Sequence, residues 1–144
     1  MLKNNDVLPL RRPKNSKNRI LVTGPNANNQ SILGDWHSAQ PDENVYTVFE
    51  GIKKIGTEMG YLVDYHDSNE NIKRISEKDI DKTIEVASDY DMVILVIGDN
   101  SMRYKWNQKT AGENTARAEL DLAGKQLDLA MRLKESGKNV IVVY

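Results

Sequence analysis

The sequence predicts an α/β fold, an open, mainly parallel sheet with helices on both faces, laid out as strand, helix, strand, helix, strand, helix, strand. Three observations carry this prediction. Short β-rich or apolar runs recur along the chain, apolar stripes at three- and four-residue spacing separate them, and glycines or capping pairs stand at the joins.

The strands are read in order as "RILVTG" (Arg19 to Gly24), "YLVDYH" (Tyr61 to His66), "DMVILVIG" (Asp91 to Gly98) and "NVIVVY" (Asn139 to Tyr144). The last two are apolar on both faces, as expected of strands covered by helices from either side, because a half-exposed strand alternates polar and apolar residues. Between the first two runs, Val45, Val48, Phe49, Ile52, Ile55 and Met59 form a helical stripe, followed later by Ile80, Ile84 and Ala87, and then by Leu127, Ala130, Met131 and Leu133. Each stripe is read as core. Ser76 with Asp79 has the spacing of a capping box, and Gly60 and Gly137 stand where helices should stop. Right-handed crossovers then favour the strand order 2-1-3-4 of flavodoxin-like sheets. Residues 1–19 are rich in Asn, Lys, Arg and Pro around one apolar knot, "VLPL". They read as a linker resting on a surface, with 20–144 as the domain proper. Because the chain stops at Tyr144 on an uncapped apolar strand, the fold is expected to be incomplete at its C-terminus.

With 144 residues, 39% hydrophobic content and a net charge of −1, the chain has the composition of one ordinary domain and no basic excess to hold nucleic acid. It lacks cysteine, which removes disulfides, thiolate nucleophiles and Cys-type zinc sites. His37 and His66 show no ligand spacing, so no metal and no cofactor is expected. No apolar run approaches the roughly 20 residues of a membrane span, and the first residues lack the apolar stretch of a signal peptide, so no membrane contact is expected.

Two long loops leave the carboxyl edge of the predicted sheet, where ligands bind in open α/β folds. The first, after Gly24, has neither a G-x-G-x-x-G pattern nor the Lys and Ser/Thr of a P-loop. The second, after Gly98, holds Asp99, Arg103, Lys105, Trp106, Lys109, Glu113, Arg117, Glu119 and Asp121; loops of this length are usually functional or disordered. Glu113 follows Gly112 among small and polar neighbours, so its carboxyl group can project outward, and Trp106 offers a flat apolar face to a sugar ring. A solvated charged loop remains open beside that reading. Glu119 and Asp121 are placed at the approach to the following helix, where acidic groups meet the favourable end of its dipole, and Arg117 is read as a salt-bridge partner.

Taken together, "LKNNDVLPL", "ILVTGPNANN", "LGDW", "QPDENVYTVFEGI", "VILVIGDNS", "GENTARAELDLAGKQLDL" and "GKNVIVVY" resemble, in order and over nearly the whole chain, the C-terminal α/β sandwich domain of family three glycoside hydrolases, the β-glucosidase and β-xylosidase group. The resemblance implies a retaining enzyme in which a preceding (β/α)8 barrel binds a β-linked glycoside and contributes an aspartate nucleophile, while the sandwich domain delivers the general acid/base from a loop. "LKNNDVLPL" then corresponds to the linker out of the barrel, and the domain continues past a strand like "NVIVVY". "GENTARAELDL" matches the stretch in which a glutamate precedes an arginine and the next helix, which makes Glu113 the acid/base candidate. Asp99, where relatives carry glutamate after the strand glycine, competes with it. Trp106 and Arg103 are the candidate substrate-binding residues. A general acid must carry its proton near neutrality, which asks for partial desolvation by the barrel. The resemblance further implies that the parent is periplasmic or secreted in bacteria and that the isolated fragment is inactive. Two other classes stay open: a non-catalytic carbohydrate-binding or domain-docking module centred on Trp36 or Trp106, and a nucleotide or receiver domain, which the missing phosphate loop disfavours.

Overall fold

A computed structural model describes residues 3–13 and 18–144; Met1, Leu2 and residues 14–17, part of the expected linker, lie outside the described residues. The main elements are β1 (Arg19–Thr23), α1 (Val48–Glu58), β2 (Leu62–His66), α2 (Glu77–Ala87), β3 (Met92–Val96), α3 (Gln126–Glu135) and β4 (Asn139–Val143). The strands form one four-stranded sheet in the order β2-β1-β3-β4, with every neighbouring pair parallel. This is the predicted α/β architecture and strand order.

Alternation along the two central strands divides the core into two layers. Leu21, Val93 and Leu95 point to the face covered by α2 and α3, where they meet Ile80, Ala87, Leu129 and Leu133. Ile20, Val22, Ile94 and Val96 point the other way, toward Val48, Phe49 and Ile52 of α1 and Leu10 of the N-terminal segment. Burying each such side chain fully stabilises the fold by about 1.5–3 kcal/mol. The register Leu21↔Val93 and Val22↔Ile94 keeps both layers aligned, since a one-residue slip would exchange them.

The capping box predicted at Ser76 and Asp79 starts α2, and a second one, Thr47 with Glu50, starts α1. Hydrogen bonds from the Ser76 hydroxyl and backbone hold the Asp79 carboxyl below its usual range. Gly60 and Gly137, just past the ends of α1 and α3, have positive φ as anticipated. Tyr61 Oη donates to the Arg11 carbonyl at 2.7 Å, so the N-terminal segment lies against the start of β2.

Three expectations need correction. Strand β4 is an edge strand with Val142 and Tyr144 exposed, so its apolar run is not covered on both sides. In α3 the exposed residues include Leu127 and Met131, while Gln126, Leu129 and Leu133 are buried; the seating of a glutamine turns the stripe. Ile55, on the predicted stripe of α1, is also exposed. Glu119 and Asp121 lie in the segment leading to α3, whose first turn carries Asp128. Among the described residues no helix is long and apolar enough to cross a membrane.

Candidate functional site

Parallel strands send both long loops out from one edge of the sheet. The first leaves β1 at Gly24, whose φ is +110° and where an added Cβ would lie 2.1 Å from the Val96 carbonyl oxygen, so only glycine allows the chain to turn against β3. Asn29 then accepts from Ser31 N and donates to the Pro25 carbonyl at 2.6 Å. The Gln30 side chain clasps the Gln40 backbone at two points, its Nε2 donating to the Gln40 carbonyl at 2.7 Å and its Oε1 accepting from Gln40 N at 2.9 Å, and closes the loop beneath its tip. That tip carries Asp35 and Trp36. Trp36 has φ +58°, a left-handed conformation that costs a non-glycine residue roughly 1–2 kcal/mol, and 72% of it is exposed. The strained backbone presents the indole outward.

The second loop is closed at its neck. Asn100 N donates to Thr110 Oγ1 at 2.9 Å, while Thr110 N and Ala111 N both donate to the Asn100 carbonyl, at 2.9 and 3.1 Å. The excursion between them includes the 3-10 segment Arg103–Gln108 and is pinned by the fully buried Met102. Lys109 returns into the protein and is only 2% exposed. A buried ammonium needs partners, and this one donates to the Glu113 carbonyl at 2.7 Å and faces Asp35 Oδ1 at 3.6 Å.

Asp35 joins the loops. Its Oδ1 accepts from Arg103 Nε at 2.9 Å and its Oδ2 from the backbone N–H of Glu113 at 2.8 Å. The Glu113 N–H, aided by Arg103, Trp36 N and Lys109 against the opposing effect of burial, holds the Asp35 carboxyl well below the usual carboxylate range. Arg103 in turn pairs with the Glu113 carboxylate and lies 4.0 Å from the centre of the Trp36 ring. Asp35 pushes the Arg103 guanidinium up from its ordinary value. His37 adds a further tie, its Nδ1 donating to the Gly34 carbonyl at 2.6 Å and its ring meeting Tyr104 edge-on at 5.7 Å.

Glu113 and Arg103 are therefore brought together in the loop layer beyond the strand tips, with the Glu113 side chain 44% exposed. Trp106 is exposed beside them, with Lys109 Nζ 4.8 Å above its ring. Asp99 takes a different setting. It pairs with Arg117, the salt-bridge role anticipated for that arginine, and it lines an open groove with Asn26, Ile32, Val48, Val143 and Tyr144. His66 packs inward against Thr83 Oγ1 at 3.2 Å, and burial lowers its pKa. Among the described residues no three His, Asp or Glu side chains gather in a way that could hold a metal ion.

Reasoning from sequence missed Asp35 and Lys109, the two residues on which Glu113 rests. The available signals were the carboxylate beside a tryptophan in "LGDW" and the Gly-Glu pair at Gly112 and Glu113.

A parallel sheet with helices on both faces, whose two longest loops interlock beyond its carboxyl edge, defines the class of open α/β sandwich domains. The chain belongs to glycosyl hydrolase family 3, whose C-terminal domain model matches residues 1–144. It is 33% identical to a β-xylosidase of Formosa agariphila and 27% identical to a periplasmic β-glucosidase of Salmonella typhimurium, in each case over 99% of this chain. It spans only 19% and 20% of those proteins. Among solved structures, a β-glucosidase of Listeria innocua in complex with glucose superposes with a TM-score of 0.71 at 23% identity, covering 96% of this chain and 17% of that one. A family 3 exo-β-xylosidase bound to a xylobiose aziridine probe superposes at 0.74 with 24% identity, covering 97% and 16%. These likenesses establish the same fold.

Proposed function

We propose that this domain is part of a retaining β-glycosidase acting on terminal β-linked sugars, and that Glu113 is the general acid/base of an active site shared with a preceding (β/α)8 barrel. Residues 1–19 are then the linker from that barrel. The observation that carries the reading is the position of Glu113: a half-exposed carboxylate beyond the strand tips, fixed by its own backbone to the opposite loop. Family membership and the glycosidases among its relatives supply the chemistry.

In a retaining mechanism one carboxylic acid protonates the departing oxygen and, once deprotonated, activates water, standing about 5–5.5 Å from a nucleophilic carboxylate. The nucleophile belongs to the barrel in this scheme, so the isolated domain is inactive. For the first step the Glu113 carboxyl turns from Arg103 to the glycosidic oxygen. Arg103 and Trp106 line the substrate side of the loop, the former as a donor to sugar hydroxyls and the latter as an apolar platform, with the exposed Trp36 ring beside Arg103.

Asp99, beside its own groove, is the competitor for the acid/base role. In the full-length enzyme, Glu113→Ala should lower kcat/KM on alkyl or disaccharide glycosides by about 10²–10⁴-fold, the usual worth of a general acid, while glycosides with activated aryl leaving groups are nearly unaffected. Full activity of this variant on alkyl glycosides, or the same selective loss from Asp99→Ala instead, removes Glu113 from the role. The alternative, a non-catalytic carbohydrate-binding or docking module, is favoured by the two exposed tryptophans. Titration of the isolated domain with glucose or cellobiose separates them, since a binding module binds the sugar through Trp36 or Trp106 without the barrel, whereas half of a shared active site does not.

A further inference from the structure

We propose that Asp35 is a positioning residue for Glu113, fixing the acid/base from the opposite loop; the inference rests on the acid/base reading above and goes beyond it.

All three polar groups of Glu113 are held by Asp35 directly or at one remove. Its N–H donates to Asp35 Oδ2 at 2.8 Å. Its carbonyl accepts from Lys109 Nζ at 2.7 Å, and that ammonium is 3.6 Å from Asp35 Oδ1. Its carboxylate pairs with Arg103, whose Nε donates to the same Oδ1 at 2.9 Å. One carboxylate thus sets the height of the backbone at residue 113 and the direction of its side chain. Arg103 and Lys109 each have one face toward Asp35 and one toward Glu113, so the cations act as spacers between two anions that would otherwise repel.

Gly112 shows how close the approach is. Its φ is +91°, and a Cβ placed there would lie 2.4 Å from Asp35 Oδ2 and 2.9 Å from Ser101 Cβ. A side chain at residue 112 would push the Asp35 carboxylate off the Glu113 N–H. The spacing of 78 residues between the partners means that only the folded loop pair creates this contact. Asp35 touches no reacting atom in this scheme; it acts through Glu113.

The test uses the full-length enzyme carrying Asp35→Asn, Gly112→Ala or Glu113→Ala, with kcat/KM measured on a methyl β-glycoside and on the 2,4-dinitrophenyl β-glycoside of the same sugar. Displacing a catalytic group by about 1 Å can cost about 10²-fold. Asp35→Asn, which removes one charge-assisted acceptor without changing size, is therefore expected to lose roughly 10- to 100-fold on the methyl glycoside and under about 3-fold on the dinitrophenyl glycoside, whose departure needs no proton. Gly112→Ala leaves the charge in place and should produce the same split, and it decides the matter if Asp35→Asn does not give folded protein. Equal losses on both substrates, or no loss, in the Asp35 and Gly112 variants while Glu113→Ala still shows the split would overturn the positioning role and leave the acid/base reading intact. Absence of the split in Glu113→Ala itself would overturn both.

Discussion

The connection between β3 and α3 has two halves of opposite character. From Gly98 to Glu113 it is anchored: Met102, Asn100, Lys109 and Thr110 are buried, the neck is closed by three backbone donors, and Asp35 reaches across from the other loop. From Asn114 to Asp121 the same connection is spread on the surface, with Leu120 100% exposed and its main tie the pairing of Arg117 with Asp99 and with the Asp121 carbonyl, before Leu122 packs back onto the core. Both halves are polar in sequence. What separates them is whether the loop sends side chains into the interior and closes its own neck with backbone hydrogen bonds, and Glu113 stands at the boundary, held through its backbone while its carboxyl group is half exposed.

The largest test of this contrast is Met102→Ala. Removing a fully buried methionine side chain should cost about 2–5 kcal/mol, read as a lower denaturant midpoint of the chain. A loss below about 0.5 kcal/mol would mean that the first half is not anchored through Met102.

A smaller effect follows from Asp35, whose folded-state pKa is depressed by the N–H of Glu113 and by Arg103. A depressed carboxylate contributes stability that is complete above its unfolded value, near about pH 4, and is lost as the pH falls through the folded value. Stability should therefore decline on acidification from about pH 5 downward, and Asp35→Asn should flatten that slope. An unchanged slope would show that the carboxylate is not coupled to the loops. Asp79, similarly depressed by its capping box, keeps part of the slope in either case.

The smallest effect is expected in the exposed half. Leu120→Ser should change stability by no more than about 0.5 kcal/mol, and a larger loss would show that the two halves are packed alike.

The sheet was legible in the sequence because its signals are local. "RILVT" is a short β-rich run and "MVILV" is apolar on both faces, Ser76 and Asp79 satisfy each other within one helical turn, and the alternation of strands and helices they mark leads to the strand order through handedness rules. The edge strand was harder to read, because its composition matches that of β3 while its exposure depends on what lies beside it. In α3 the apolar pattern was misleading for a physical reason. Gln126 is fully buried, its Oε1 accepting from Gly98 N at 2.9 Å and its Nε2 donating to the Ala123 carbonyl at 3.0 Å, so a polar residue occupies an interior position that periodicity reserves for apolar ones.

The candidate site divides in the same manner. Glu113, Asp99, Arg103 and Trp106 are legible as ionisable or aromatic residues in a long loop, and resemblance to the family ranks them. Asp35 is an ionisable residue of the other long loop, beside a tryptophan, but its partners lie 68 and 78 residues away and no spacing rule links them. Lys109 looked like any loop lysine until folding buried it. Contacts between two loops at a sheet edge have no period, which is why the fold could be read further than the support of its site.

The most direct test of the central claim, that this domain delivers the proton donor through Glu113, is the product formed by the full-length Glu113→Ala enzyme in the presence of azide. If residue 113 is the acid/base, azide entering the space of its carboxylate attacks the glycosyl-enzyme from the face that water uses, restoring turnover on an activated aryl glycoside and giving the β-glycosyl azide. Turnover that azide does not change, with free sugar as the sole product, would contradict the claim.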